Sequence, residues 1–123
     1  MKNLYTYISA IGEKSAKLSL LSEDAKLHEY IDDGILITNL EKTYYFNNGV
    51  VLKYQCETDN IPSEDVCQEC WINYEILDAN GIDISPMQKN FYNSCQEAFW
   101  LKVQSQYELE DLWLRYNKET CIY

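Results

Sequence analysis

The chain has 123 residues, 20 acidic side chains against 10 basic ones, and a formal net charge of −10. Hydrophobic residues at 46% and aromatics at 14% exclude an acidic disordered tail, which lacks the apolar surface to offset its ordering entropy. The acid excess, with Arg115 the sole arginine, excludes nucleic acid and anionic lipid as ligands, because both are held by Lys and Arg against phosphate.

In chain order, Leu4, Tyr7, Ile8 and Ile11 recur at helical spacing until Gly12 interrupts them. The same stretch is broken by Thr6 and Ser9 and followed by Glu13, Lys14 and Lys17, too short and polar for a secretory leader or a membrane span. The expectation is a cytoplasmic protein with no membrane partner. Residues 16–21 suit helix or strand. Ser22 then reads as an N-cap, with Glu23 and Asp24 in the first turn, Ala25, Leu27, Tyr30 and Ile31 as the apolar stripe and Gly34 as the stop.

From Ile35 the period changes. Ile35, Leu36, Ile37 and Leu40 form a short apolar run, and Thr43–Phe46 and Val50–Glu57 flank Asn47, Asn48 and Gly49, a strong hairpin signal. With Asn48 and Gly49 as the loop, Tyr45 faces Leu52. One sheet face then carries Tyr45, Val50, Leu52, Tyr54 and Cys56 toward the core, while Tyr44, Phe46, Val51, Lys53, Gln55 and Glu57 point away. A further strand follows at Cys70–Leu77, where Ile72, Tyr74 and Ile76 alternate with Trp71, Asn73 and Glu75 before the turn residues Asp78, Ala79, Asn80 and Gly81.

Ser85 as N-cap and Pro86 at the first helical position open a last helix, with Phe91, Cys95, Ala98, Phe99, Val103, Leu109, Leu112, Trp113 and Tyr116 at three- and four-residue intervals. No linker or repeat marks a boundary, so 1–123 reads as a single domain. The resulting expectation is α+β: a helical N-terminal third, an antiparallel β-meander of three to four strands, and a long C-terminal helix packed on one sheet face. The other face is left to water or to a partner.

Catalytic chemistry finds little support. The only histidine, His28, sits in the expected second helix with no nucleophile beside it in sequence, and no Gly-rich loop precedes a helix. Cys67 and Cys70 form a CxxC pair, but it runs into the strand Trp71-Ile72-Asn73-Tyr74 instead of opening a helix that would stabilise a thiolate. As a zinc half-site it lacks a second CxxC, with only Cys56 and Cys95 as scattered companions. The five cysteines, Cys121 included, lack the dense spacing of a secreted disulfide scaffold, in keeping with a reducing compartment. The chain reads as a non-enzyme without cofactor or metal.

Charge distribution is the informative feature. Between Lys53 and Lys89 there is no basic residue, whereas Glu57, Asp59, Glu64, Asp65, Glu69, Glu75, Asp78 and Asp83 contribute eight negative charges. A solvated acidic face is one reading. The other is a docking surface for a basic protein, with Trp71, Tyr44 and Phe46 as outward aromatics ringed by charge. The expected partner-binding residues are Glu57, Asp59, Glu64, Asp65, Glu69, Trp71, Glu75 and Asp78.

Over residues 35–80, Asn48-Gly49-Val50-Val51-Leu52-Lys53-Tyr54 and Trp71-Ile72-Asn73-Tyr74-Glu75, within a short acidic α+β chain, resemble immunity proteins of bacterial polymorphic toxin systems such as contact-dependent growth inhibition. The resemblance implies a cytoplasmic protein that binds a cognate basic toxin domain, a nuclease in the simplest version, and blocks its active site or substrate surface. The alternative is a phage-type anti-defence inhibitor that mimics nucleic acid on a basic effector. Third is a small Cys-dependent redox or zinc protein using Cys67 and Cys70.

Overall fold

A computed structural model describes residues 3–12, 18–59 and 69–106. Its elements are α1 (Leu4–Gly12), β1 (Leu20–Asp32), β2 (Ile35–Phe46), β3 (Val51–Asp59), β4 (Glu69–Asp78) and β5 (Gln88–Asn93). A second helix, α2, is described over residues 94–106. The strands form one antiparallel sheet in the order β1-β2-β3-β4-β5, each paired with its neighbour in sequence.

The expected helical N-terminal third and meander of three to four strands are therefore wrong. Only α1 is helical there, and residues 20–32 form the first strand of a five-stranded sheet. The apolar stripe at Ala25, Leu27, Tyr30 and Ile31 packs no helix face, and every residue of β1 after Leu20 is exposed. Propensity yielded to pairing: β1 lies against β2 from Ser22↔Tyr45 to Asp32↔Ile35. The residues between them, Asp33 at φ 50° and Gly34 at φ 77°, make a two-residue turn with both φ positive. Asp-Gly is a hairpin signal, and Gly34 ends no helix.

The second hairpin is present with a different loop. Phe46 N–H donates to the Val50 carbonyl at 3.0 Å and Gly49 N–H to the Phe46 carbonyl at 3.1 Å, and only Gly49 has positive φ, so Asn47, Asn48 and Gly49 all belong to the loop. Tyr45 then pairs with Val51, and Tyr44 with Leu52. One residue of register flips every β2 side chain to the other face. Tyr44 and Phe46 are buried, and Tyr45 is exposed. Leu52, Tyr54 and Cys56 keep their expected core side.

The core lies between the sheet and the two helices. Asn3 caps α1, its Oδ1 accepting from Tyr5 N–H at 2.9 Å, and the helix buries Leu4, Tyr7 and Ala10 along one face. Tyr7 meets Phe46 edge-on at 5.2 Å, while Trp100 of α2 packs on Phe91 at 5.7 Å and on Tyr5 of α1 at 6.4 Å. Leu52, Ile72 and Ile76 fill the space beneath. Each such side chain contributes roughly 1.5–3 kcal/mol by leaving water.

The C-terminal helix begins later than Ser85 and Pro86 suggest. Those two residues are joined by a cis peptide and followed by strand β5, where Phe91 pairs with Ile72. The start of α2 is fixed by Asn93, whose Oδ1 accepts from Gln96 N–H at 2.8 Å, and by Gln96, whose Oε1 accepts from Tyr92 N–H at 2.9 Å. Leu109, Leu112, Trp113 and Tyr116 lie outside the described residues.

Candidate acidic and aromatic docking site

Strand alternation and the registers divide the sheet into two faces. The face away from the helices carries Gln55, Glu57 and Asp59 of β3, Trp71, Asn73 and Glu75 of β4, and Asn90 and Tyr92 of β5. Among the described residues no helix packs on it. Much of it is a polar lattice: Gln55 donates to Asn39 at 3.4 Å, Asn73 donates to Asn90, and Lys53 sits 3.5 Å from Glu75, its cross-strand partner.

At one end of this face lies a concavity of about 240 Å³, lined by Ile37, Glu57, Asp59, Glu69, Cys70, Trp71 and Tyr92. The register assembles it. Glu57 is directly opposite Trp71, Asp59 is opposite Ile37, and Glu69 is opposite Asn93, beside Tyr92. The Trp71 and Tyr92 rings meet edge to face with centroids 5.2 Å apart, and both stay open to solvent, at 40% and 57% exposure. Tyr30 reaches across from β1 to donate its hydroxyl proton to Glu57. That acceptor carboxylate, with burial adding less, holds the Tyr30 phenol above its ordinary value.

Four of the eight expected site residues, Glu57, Asp59, Glu69 and Trp71, thus come together. Glu75 does not join them, being engaged with Lys53, and Asp78 lies at the far end of β4, where its Oδ1 accepts from Asn80 N–H at 2.8 Å in the turn. Glu64 and Asp65 lie outside the described residues. Tyr44 and Phe46, expected outward, are buried on the opposite side. Sequence reasoning missed Tyr92 because residues 88–93 read as helix, and missed Tyr30 because residues 22–34 did.

Three carboxylates and two aromatic rings around one hollow, with no lysine or arginine among its lining residues, suit a cationic group. Carboxylates attract it, and the ring quadrupoles add roughly 0.5–2 kcal/mol where the cation is partly desolvated.

Other chemistry is weakly supplied. His28 lies on exposed β1, stacked on Tyr30 at 5.7 Å, and not on a helix. Burial, then the neighbouring Cys56, pushes the Cys70 thiol up, away from the thiolate that redox catalysis needs. Cys67 lies outside the described residues. Among the described residues, no three His, Cys, Asp or Glu side chains are grouped to hold a metal. Cys56 and Cys70 are free thiols while Cys95 is disulfide-bonded, so cysteine usage no longer argues for a reducing compartment. No described helix is long and apolar enough to cross a membrane. Comparison with protein-family models, curated proteins and solved structures finds no match.

Proposed function

We propose that this chain is a non-catalytic inhibitor that binds a basic toxin domain and neutralises it by covering its active site or substrate surface, as an immunity protein does. The observation that carries the reading is the concavity in which Glu57, Asp59 and Glu69 surround Trp71 and Tyr92 on the sheet face away from the helices. In this reading a lysine or arginine of the partner enters the hollow, lies against the Trp71 ring and pairs with the carboxylates. A nuclease toxin carries such residues where it holds phosphate, so the surface that attracts the inhibitor is the surface it must block. Net charge of −10 adds long-range steering to that encounter.

The test is coexpression with a candidate toxin domain, sought among the genes adjoining this one. The unaltered chain restores growth, and a variant carrying Glu57→Lys, Asp59→Lys and Glu69→Lys does not, although it accumulates and folds equally. Protection undiminished by those reversals removes the reading. Action in the cytoplasm further requires that binding survive reduction of the Cys95 disulfide, which thiol titration beside a binding measurement checks.

A further inference from the structure

Apart from the Tyr30 contact with Glu57, the concavity leaves the β1 margin of the sheet unaccounted for. β1 is the longer of the two edge strands, at 13 residues, and among the described residues it pairs only with β2. Natural edges are blunted by shortness, proline, charged side chains, inward-pointing charges, bulges or a covering element. β1 holds no proline and its register irregularity, between Leu20 and Ser22, falls at the very start, so what guards it is charge: Glu23, Asp24, Lys26, Glu29 and Asp32, with Glu23 and Glu29 on the helix side. Among the described residues nothing pairs with the rest, whose outward backbone donors and acceptors can meet a further strand that matches those charges.

Side chains along that edge limit what can pair. On the helix side, Leu27 and Ile31 are 64% and 74% exposed and adjoin Leu40 and Leu36 of β2, so an apolar strip runs out to the edge beyond the helices. Four acids flank it, Glu23, Asp24, Glu29 and Asp32. Lys42 sits 3.5 Å from Glu23, whereas Asp24, Glu29 and Asp32 have no cation partner among the described residues. A second copy pairing through β1 would set the same four acids against these and add a second chain of net charge −10. A segment alternating apolar and basic residues would complete the ladder, cover the strip and meet the carboxylates.

We propose that β1 receives an extended, lysine- or arginine-bearing segment of another protein as a sixth strand. Main-chain hydrogen bonds supply affinity in such strand addition, and alternate side chains supply selectivity. The edge carries its own argument and needs no result at the concavity.

The probe is a short acetylated peptide alternating valine and lysine, with two controls: the glutamate counterpart, and a lysine peptide of equal charge with proline in place of valine, which cannot complete a ladder. Backbone amide exchange is followed along the unaltered chain. The lysine peptide is expected to slow exchange within residues 20–32, and both controls to leave it unchanged. Reversing Asp24, Glu29 and Asp32 to lysine weakens lysine-peptide binding about tenfold or more, while Trp71→Ala leaves it intact, which separates this site from the concavity. Equal effects of the lysine and proline peptides would show diffuse charge attraction and overturn the proposal. So would protection confined to residues 57–59 and 69–71, or a dimer whose β1 amides are protected without peptide.

Discussion

Glu57 and Trp71 are direct cross-strand partners on β3 and β4, so a carboxylate and an indole stand side by side on the sheet face away from the helices. Tyr30 holds the carboxylate from one side and Tyr92 meets the indole edge-on from the other. Because Trp71 is only 40% exposed and packs on Tyr92, Trp71→Ala is expected to lower unfolding free energy by about 1–2 kcal/mol, less than a core deletion. The same change is expected to cost about 2 kcal/mol or more in partner binding, as a central aromatic anchor does. Urea unfolding and titration calorimetry on one preparation measure both.

Leu52 and Leu27 test the placement of β1. Leu52 is fully buried between the sheet and the helices, and Leu52→Ala should destabilise by roughly 2–5 kcal/mol. Leu27 belongs to the apolar stripe of the expected helix, yet it is 64% exposed on the edge strand, and Leu27→Ala should fall within about 0.5 kcal/mol. A loss near that of Leu52→Ala would mean that Leu27 is packed. Chemical denaturation of the two variants decides.

Several elements are legible in the sequence and others are not, for physical reasons attached to particular residues. Leu4, Tyr7 and Ile11 predict α1, because its buried face follows the helical period. Ile72, Tyr74 and Ile76 predict β4, because their alternation marks the core side, although Asn73 between them is also buried, against Asn90. β1 has no dry face after Leu20, so its hydrophobic pattern carries no strand information, and chance spacing of Leu27, Tyr30 and Ile31 imitates a helix. The usable signal was Asp33-Gly34. At Asn47-Asn48-Gly49 the turn was legible but its loop length was not, and the missing residue sent Tyr44 and Phe46 to the opposite face. The acidic run showed in the sequence, whereas its separation into a concavity, a Lys53 pair at Glu75 and a turn contact at Asp78 follows from register alone.

Gly49 and Gly34 should respond differently to alanine. Both have positive φ, which costs a residue with a Cβ about 1–2 kcal/mol. A Cβ at Gly34 meets open space, but one at Gly49 would lie 2.5 Å from Asn80 Nδ2, which itself donates to the Asn48 carbonyl at 2.7 Å. Gly49→Ala must therefore displace that bond as well. Its loss of stability should exceed that of Gly34→Ala by about 1 kcal/mol, and thermal unfolding of the pair shows whether it does.

Alkaline pH should weaken the fold. Burial raises the Tyr44 phenol from 10.0 to about 12, and burial also raises Tyr54 and Tyr74, the latter additionally through Glu97, which accepts its hydroxyl proton at 2.8 Å. Below pH 10 these phenols are protonated in both states and stability is unaffected. As pH climbs from 10 toward 12 the unfolded chain releases protons that the native state retains, so stability falls. Urea midpoints across that range should decline, and Tyr44→Phe should make the decline shallower. An equal slope in the variant would show that Tyr44 is not among the groups responsible.

The most direct measurement of the central claim is calorimetric titration of a candidate basic toxin domain, sought among the genes adjoining this one, into the unaltered chain and into Glu57→Lys/Asp59→Lys/Glu69→Lys, at low and at physiological salt. The account predicts tight binding by the unaltered chain, weakened by salt, and a loss of at least about a hundredfold in the variant, roughly 1 kcal/mol for each reversed charge. Equal affinity of the two proteins, or a toxin domain that is itself strongly acidic, would contradict it.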